Sequence, residues 1–327
     1  MAKPKIFVTR KIPQAGLDQL AGEVDLNVWP GELPPPLETF LDSAKGMDGL
    51  ITLLTDKVDD RLMEAAGPTL KVISQYAVGV DNIDLELATR LHIPVGHTPG
   101  VLTETTADFA WTLMMAAARR VVEADKFTRD GGWKTWGPTA FLGPDIYGAT
   151  LGIVGFGRIG QAMARRAQGF AMRVVYTDVQ RFPEAEAALN ATYVPLDELL
   201  RIADFITLHT WLAPDTHHMI GTAQFQMMKP TAILVNTARG PIIDPAALYQ
   251  ALKDGVISGA GLDVTEPEPI PTTSLLLTLD NLVIAPHIAS ASTQTRTRMA
   301  LMTAENLLAG LKGVRLPYCA NPAVYQE

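Results

Sequence analysis

Three glycines with the spacing G-x-G-x-x-G are the residues of this chain best suited to hold a phosphate. Gly155, Gly157 and Gly160 follow the apolar run 151–154, which predicts a buried strand, and they open a segment with helical spacing. The first glycine permits a tight turn, the second lets the backbone approach a pyrophosphate, and the third lets helix and strand pack closely. Asp178, 18 residues after Gly160, ends the next apolar run and can accept hydrogen bonds from an adenosine ribose. Strand, helix and acid at these offsets predict a dinucleotide site.

The polar residues Arg239, Glu268 and His287 each follow a different predicted strand. Ligands of parallel α/β sheets bind at the carboxyl ends of the strands, so we expect these side chains to lie near one another. Singly, each has an ordinary explanation: a turn arginine, a solvated glutamate and a structural histidine. Together they can grip a carboxylate, donate a proton to a carbonyl oxygen and hold the proton donor. The set predicts reduction of a 2-oxo acid by hydride transfer from a nicotinamide.

Short apolar strands alternate with helical patterns along the whole chain, which is typical of doubly wound α/β structure. Because the glycine motif begins near residue 155, the nucleotide domain cannot be N-terminal, and a final helix over 293–311 can return to the first part of the chain. We predict two parallel-sheet (Rossmann-like) domains, a discontinuous substrate-binding domain over 1–100 and 290–327 and a dinucleotide-binding domain over 101–289. The expected strands are 6–8, 26–28, 50–53, 72–74 and 94–95, then 151–154, 173–176, 205–208, 233–236, 259–263 and 282–284, with a long helix over 103–120.

Composition narrows the classes of function. The net charge of −8 provides no basic surface for nucleic acid, and no apolar run is long enough to span a bilayer. Cys319 is the only cysteine, which suits a reducing compartment, and the N-terminal residues show no signal-peptide pattern. We therefore expect a cytoplasmic protein without nucleic-acid or membrane partners. His217 and His218 lack metal-ligand spacing and predict a solvated turn, so no metal site is expected.

With the glycine motif and the three strand-end residues, the chain resembles the D-isomer-specific 2-hydroxyacid dehydrogenases over nearly its whole length. Within that family it most resembles the glyoxylate/hydroxypyruvate reductases. Other matching stretches are 72–74 with 78–81, 131–136, 260–265, 275–279 and 286–288. Relatives of different chemistry fit less well: formate dehydrogenases pair the histidine with glutamine where Glu268 stands, and phosphite dehydrogenases have a lysine in place of Val78.

The resemblance implies a role for each of several residues. Arg239 would grip the substrate carboxylate and carbonyl oxygen, His287 would donate the proton, and Glu268 would hold and charge the histidine. The implied substrate contacts also include the backbone amides of Val78 and Gly79, the pocket residue Leu54, and Trp136 reaching in from a second subunit. The implied pyrophosphate contacts are Gly157, Arg158 and Ile159, and the implied nicotinamide contacts are Thr106, Thr237 and Asp263, whose carboxylate accepts from the carboxamide.

The resemblance also bears on cofactor choice. Members that prefer NADPH carry an arginine and no acid after the second strand of the nucleotide domain, whereas this chain has Asp178. NAD(H) is therefore the expected cofactor. NADP(H) stays an alternative, because Arg181, three residues on, could pair with a 2′-phosphate.

The function implied by the resemblance is reduction of glyoxylate and hydroxypyruvate to glycolate and D-glycerate. The same chemistry on another 2-oxo acid, such as pyruvate or 2-ketogluconate, stays open, because pocket residues decide between them. An NAD-sensing corepressor is a rival of a different class. The resemblance further implies a homodimer, with a dimerisation segment at about residues 120–148.

Overall fold

The chain forms two compact units in the computed structural model, which describes residues 2–326. Residues 2–102 and 291–326 make up the first unit, and residues 103–290 make up the second. Each unit contains one sheet with parallel strands and helices between them. The predicted fold class, two parallel-sheet α/β domains, is therefore confirmed. No helix within residues 2–326 combines the length and the apolar character needed to cross a membrane.

The first unit is built on five strands, β1 (Lys5–Val8), β2 (Asp25–Val28), β3 (Gly49–Thr52), β4 (Val72–Gln75) and β5 (Val95–Gly96). Its helices are α1 (Gln14–Leu20), α2 (Leu37–Ala44), α3 (Asp60–Ala66), α4 (Leu85–Arg90) and the last helix of the chain, α12 (Thr293–Leu311). The strand order is β2-β1-β3-β4-β5, the order of flavodoxin-like sheets. Helix α12 packs against α1 and β4, and the Ser74 hydroxyl donates to the Thr303 carbonyl oxygen at 2.8 Å. These contacts attach the end of the chain to its beginning.

The second unit is built on seven strands, β6 (Thr150–Val154), β7 (Arg173–Thr177), β8 (Ala191–Tyr193), β9 (Phe205–Leu208), β10 (Ile233–Asn236), β11 (Gly259–Leu262) and β12 (Leu282–Ile284). Its helices are α5 (Thr103–Ala118), α6 (Val121–Arg129), α7 (Arg158–Gln168), α8 (Pro183–Leu189), α9 (Leu196–Ile202), α10 (Thr222–Met227) and α11 (Pro245–Lys253). The strand order is β12-β11-β10-β9-β6-β7-β8. The strand order reverses between β6 and β9, and ligands of such sheets bind outside the carboxyl ends of the strands at this switch point.

The central strands β9 and β10 of the second sheet are buried on both faces. Ile206, Leu208 and Leu234 belong to the core on one face, and Phe205 and Ile233 belong to the core on the other. All five side chains are at most 1% exposed. Burial of each contributes roughly 1.5–3 kcal/mol before the entropy of ordering is subtracted. This packing holds β9 and β10 in register, and the polar loops begin where these strands end.

The long helix predicted over residues 103–120 is shorter than expected. α5 ends at Ala118, and Arg120 has a left-handed φ of 51° before α6 begins. Neither α6 nor the edge strand β8 was predicted. The apolar residues of α6 are exposed, among them Val121 (54%) and Phe127 (43%), so the pattern of a buried face is missing. β8 has three residues, which are too few for an alternating pattern.

Candidate active site

The glycine-rich turn lies between β6 and α7, at the switch point of the second sheet. Gly155 has a φ of 90°, and a Cβ atom there would lie 2.6 Å from the carbonyl carbon of His209. A Cβ on Gly160 would lie 2.2 Å from the Gly155 oxygen, so neither position accommodates a side chain. Gly157 differs, because a Cβ there would meet no described atom within 4 Å. The backbone at the start of α7 is therefore accessible, and the helix dipole favours an anion there.

Asp178 lies beside this turn, directly after β7. Its Oδ2 atom accepts a hydrogen bond of 2.6 Å from the Phe156 amide, which holds the carboxylate against the turn. Its Oδ1 atom has a longer contact, 3.4 Å, with the Gln180 amide. An ionised carboxylate can accept about four hydrogen bonds, so capacity remains for a ligand. The predicted pyrophosphate residues Arg158 and Ile159 open the helix next to it.

His287 and Glu268 form a short hydrogen bond in the loops that follow β12 and β11. The His287 Nδ1 atom lies 2.6 Å from Glu268 Oε1. Burial raises the pKa of the Glu268 carboxyl, whereas four other interactions lower it: the hydrogen bond and charge of His287, the Thr265 amide and the charge of Arg239. The lowering interactions together prevail, so this pKa lies below its usual value. Glu268 is thus held as a carboxylate beside the imidazole.

Asp263 fixes the loop that carries His287. Its Oδ1 atom accepts the Ile288 amide at 2.7 Å, and its Oδ2 atom accepts the Ala289 amide at 2.8 Å. Its carbonyl oxygen accepts the His287 amide at 2.9 Å, and His287 has a left-handed φ of 55°. Asp263 is 1% exposed; burial raises the pKa of its carboxyl, against the lowering effect of the two amides. The structure gives Asp263 a positioning role that the sequence does not reveal, whereas its contact with the nicotinamide stays a prediction.

A buried asparagine shapes the turn that carries Arg239. Asn236, the last residue of β10, is 0% exposed. Its Nδ2 atom donates to the Arg239 carbonyl oxygen at 2.8 Å, and its Oδ1 atom accepts the Ala238 amide at 2.9 Å. The Arg239 Nη1 atom donates to the Ala238 carbonyl oxygen at 2.8 Å. The sequence alone did not single out Asn236, although one amide side chain at the end of an otherwise apolar strand was a usable signal.

The two threonines predicted to contact the nicotinamide are both buried. Thr237 is 8% exposed, and its Oγ1 atom has no hydrogen-bond partner among residues 2–326. Thr106 is 4% exposed on α5, which an ion pair of 2.6 Å between Arg166 and Asp108 ties to α7. Leaving a buried hydroxyl unsatisfied costs about 1–3 kcal/mol, and a bound ligand can satisfy it. The unsatisfied oxygen of Thr237 therefore fits a ligand contact.

The remaining predicted substrate residues are divided between the two units. Leu54, Val78 and Gly79 belong to the first unit, where His97 Nδ1 lies 3.0 Å from the Val78 carbonyl oxygen. Leu54 is 36% exposed just after β3. Trp136 belongs to the second unit and is 79% exposed. The second unit thus contains the predicted proton donor, its carboxylate partner and the predicted cofactor residues. The first unit contains three of the predicted substrate residues.

His217 and His218 lie in a turn and are partly exposed, as expected. The acid beside them was not expected. Glu266, in the loop after β11, lies beside both histidines. Its Oε2 atom is 2.6 Å from His218 Nε2, and its Oε1 atom is 3.8 Å from His217 Nε2. His218 and Glu266 are 48 residues apart in the chain, so local spacing contains no sign of this contact.

Comparison with known proteins identifies the family. Residues 111–289 match the family described as D-isomer specific 2-hydroxyacid dehydrogenase, NAD binding domain. A glyoxylate reductase from Korarchaeum cryptofilum (strain OPF8) is 54% identical over 323 residues, which cover 98% of this chain and 97% of that protein. A solved structure of TT0316 protein from Thermus thermophilus aligns with a TM-score of 0.92 at 47% identity, covering 97% of this chain and 99% of that chain. An NADPH-dependent glyoxylate/hydroxypyruvate reductase from Sinorhizobium meliloti, solved with NADP and malonate, aligns with a TM-score of 0.84 at 30% identity, covering 99% and 98%.

The chain therefore belongs to the D-isomer specific 2-hydroxyacid dehydrogenases. It is an NAD(P)-dependent oxidoreductase that acts on a small molecule, as the resemblance implied. Three features of the second unit fit a nicotinamide dinucleotide. They are the accessible backbone at the start of α7, the carboxylate of Asp178 beside it, and the unsatisfied hydroxyl of Thr237.

Proposed function

We propose that this protein is an NADH-dependent reductase that converts glyoxylate to glycolate and hydroxypyruvate to D-glycerate. The observation that carries the proposal is the 2.6 Å hydrogen bond between His287 and Glu268, in a chain 54% identical to a glyoxylate reductase. A histidine held by a carboxylate is suited to donate the proton that reduction of a carbonyl group requires. Both side chains are partly exposed, 25% for His287 and 34% for Glu268, which a purely structural pair does not need.

The hydrogen bond decides which imidazole nitrogen delivers the proton. Because Nδ1 of His287 donates to Glu268, the proton on Nε2 of the imidazolium is available to the carbonyl oxygen of the substrate. A bound reduced nicotinamide supplies the hydride to the carbonyl carbon. The carboxylate of Glu268 stabilises the positive charge that His287 carries before the proton moves. Arg239 binds the carboxylate and the carbonyl oxygen of the substrate and so orients the carbonyl group.

We assign the other substrate contacts by the family resemblance. The amides of Val78 and Gly79 bind the substrate carboxylate, and Leu54 lines the pocket. On this assignment residues 2–102 and 291–326 are the substrate-binding domain, and residues 103–290 are the dinucleotide-binding domain. Leu54 is 36% exposed, which leaves an apolar surface available to a substrate.

We propose NADH as the preferred cofactor over NADPH. Asp178 accepts the Phe156 amide at 2.6 Å, which keeps its negative charge beside the glycine-rich turn. A 2′-phosphate at the ribose would bring a second negative charge to this carboxylate. Repulsion between like charges is poorly screened at a partly buried site, so NADPH binds less tightly.

We propose a homodimer formed through residues 120–148. Seven large apolar side chains of this segment are exposed: Val121, Val122, Phe127, Trp133, Trp136, Leu142 and Tyr147. Exposed apolar patches of this kind mark interaction sites, and aromatic residues are enriched at interfaces. We assign Trp136 to the substrate pocket of the partner.

We also propose a cytoplasmic location for the protein. The single cysteine supports this location, because it suits a reducing compartment.

The proposal is tested by following NADH oxidation by the purified protein with glyoxylate, hydroxypyruvate, pyruvate and 2-ketogluconate in parallel. We expect the highest kcat/KM with glyoxylate or hydroxypyruvate. A higher kcat/KM with pyruvate or 2-ketogluconate would assign the protein to a different 2-hydroxyacid dehydrogenase activity. Tight binding of NADH without turnover of any of the four acids would favour an NAD-sensing protein of the corepressor kind. The His287→Asn variant, purified in the same way, is the control for contaminating enzymes.

A further inference from the structure

We propose that His217, His218 and Glu266 form a binding site for a divalent transition-metal ion such as Zn²⁺, separate from the catalytic set. The two histidines lie in the loop after β9, and the glutamate lies in the loop after β11. Nε2 of His218 is 2.6 Å from one carboxylate oxygen, and Nε2 of His217 is 3.8 Å from the other. One ligand atom from each side chain lies within 4.8 Å of the other two. Within residues 2–326 no other group of His, Cys, Asp and Glu side chains meets this condition.

The backbone brings two neighbouring imidazole rings to the same side. Adjacent side chains of an extended backbone point in opposite directions, so two histidines in sequence do not ordinarily face one ligand. His218 instead has a left-handed φ of 52°, a conformation unfavourable for residues with a Cβ atom. The rings of His217 and His218 stack with centroids 4.0 Å apart and an interplanar angle of 26°. This uncommon backbone conformation presents both Nε2 atoms to the carboxylate of Glu266.

The loops beneath the cluster hold its backbone in place. The His218 amide donates to the Pro241 carbonyl oxygen at 2.7 Å, which joins the loop after β9 to the loop after β10. A Cβ atom on Gly240 would lie 2.0 Å from the Thr265 carbonyl oxygen, so the loop after β10 packs directly on the segment that carries Glu266. Because three loops are packed backbone to backbone, an arriving ion needs only small rotations of side chains.

The donor set suits Zn²⁺ and its neighbours in the first transition series. Imidazole nitrogen and carboxylate oxygen are both ligands of Zn²⁺, and three protein ligands with a water in the fourth position form a common type of site. With metal–ligand distances of about 2.0–2.2 Å, two ligand atoms of a tetrahedral ion lie roughly 3.3–3.6 Å apart. The separations of 2.6 and 3.8 Å from Glu266 to the two imidazoles bracket that range, so neither changes by more than about 1 Å. Side-chain exposures of 51% for His217, 36% for His218 and 30% for Glu266 leave the ion a route from solvent.

The cluster contains none of the proposed catalytic residues, but it shares the loop after β11 with Glu268. Glu266 precedes Glu268 by two positions, and the Thr265 amide contacts Glu268 Oε2 at 3.4 Å. The Thr265 hydroxyl donates to the Pro267 carbonyl oxygen at 2.9 Å, which braces the same segment. An ion held by Glu266 and the two histidines would link the loop after β9 to the segment that positions the partner of the catalytic histidine.

Isothermal titration of chelator-treated protein with Zn²⁺ tests the site. We expect one ion per chain in the wild type. In His217→Ala or Glu266→Gln, Zn²⁺ should bind at least on the order of 100-fold more weakly. Loss of a direct ligand costs more affinity than loss of a residue that only hydrogen-bonds to a ligand, which typically costs about 10- to 100-fold. The matched control is His287→Asn, which removes the other histidine–glutamate pair and should leave Zn²⁺ binding unchanged. Mg²⁺ is a second control, because it prefers oxygen ligands and should not bind.

Two results of the Zn²⁺ titration would overturn the proposal. One is the absence of stoichiometric Zn²⁺ binding to the wild type. The other is Zn²⁺ binding that persists in His217→Ala and disappears in His287→Asn, which would locate the ion at the catalytic pair. Co²⁺ provides a measurement on the unmodified chain, because four-coordinate Co²⁺ absorbs visible light far more strongly than the six-coordinate aqueous ion. A Co²⁺ spectrum identical to that of the free ion would also contradict the site.

Discussion

Arg181 is paired with Glu186, with Nη2 2.6 Å from Oε2 and Nε 3.1 Å from Oε1. The same guanidinium group lies over the ring of Tyr193, 5.7 Å from its centroid. Arg181 follows Asp178 by three residues and was the cation suggested as a partner for a 2′-phosphate. Glu186, in the first turn of α8, occupies Nε and Nη2 of Arg181 and so competes with a 2′-phosphate for this cation.

Asp178→Gly is expected to relax a native preference for NADH. The substitution removes the carboxylate proposed to accept from the ribose, and loss of one such charge-assisted hydrogen bond, worth about 1.5–3 kcal/mol, should lower kcat/KM for NADH on the order of 10- to 100-fold. The value for NADPH should fall less or rise. Arg181→Ala is the matched control and should leave the ratio unchanged, since Arg181 is paired with Glu186. A native preference for NADPH would show that Asp178 does not select the cofactor.

His287→Asn is expected to lower kcat by roughly 10²–10⁴-fold, the usual contribution of a positioned general acid. Binding of NADH should survive, because the glycine-rich turn and Asp178 are unchanged. Steady-state kinetics with glyoxylate and a fluorescence titration with NADH separate the two effects. Unchanged turnover in this variant would remove His287 from the mechanism.

Glu268→Gln is expected to lower kcat for reduction and to change how stability depends on pH. Glutamine can keep a hydrogen bond to Nδ1 of His287 but supplies no negative charge beside the imidazole. The pKa of Glu268 is held below its ordinary value of 4.5. A lowered folded-state pKa stabilises the protein above the ordinary pKa, and this stability is lost as pH falls through the folded value. Thermal unfolding of Glu268→Gln should therefore show a loss of stability near neutral pH and a weaker further loss on acidification; an unchanged kcat would separate Glu268 from His287.

Asp263→Asn is expected to lower both stability and kcat. One oxygen of the carboxylate becomes an NH₂ group that cannot accept the Ile288 or Ala289 amide, and an unsatisfied buried amide costs about 1–3 kcal/mol. Thermal unfolding and steady-state kinetics measure the two effects. A rise in the KM for NADH with unchanged Tm would instead indicate that Asp263 acts mainly on the cofactor.

Gly155→Ala and Gly157→Ala form a matched pair at the glycine-rich turn. Gly155 has a φ of 90° and lies against the backbone of His209, so a methyl group there should destabilise the fold. A methyl group at Gly157 meets no described atom within 4 Å, so this variant should keep its Tm and bind NADH more weakly. Thermal unfolding and an NADH titration of both variants make the comparison. Normal NADH binding by Gly157→Ala would place the pyrophosphate elsewhere.

A homodimer is expected at assay concentrations, with Trp136 near the active site of the second subunit. Light scattering coupled to gel filtration gives the mass directly, and a monomeric mass would contradict the proposal. Trp136→Ala should raise the KM for the 2-oxo acid or weaken the dimer, because its side chain is 79% exposed in the isolated chain and available to a partner. Trp211→Ala is the control and should leave the dimer intact. Trp211 is also exposed (70%) but lies outside residues 120–148.

The sequence by itself determined the fold class and most of the strands, and it named the residues of the candidate site. Apolar periodicity is a local property, so the strands and helices around Gly155 and Asp178 could be predicted without any tertiary contact. Parallel strands carry their loops at the same edge, so Arg239, Glu268 and His287 could be expected near one another. Helix α6 escaped prediction because its apolar residues do not face a core.

Tertiary structure alone decided which polar atoms pair. Asp263 accepts amides 25 and 26 residues further along the chain, and His218 meets Glu266 across 48 residues. Spacing along the sequence reveals a strand, but it does not reveal such pairs. A hydrogen bond requires a donor–acceptor distance correct to a few tenths of an ångström, and that distance depends on how whole loops pack. For this reason the candidate site residues could be named from the sequence, whereas the role of Asp263 in holding the loop of His287, and the cluster at Glu266, required the folded chain.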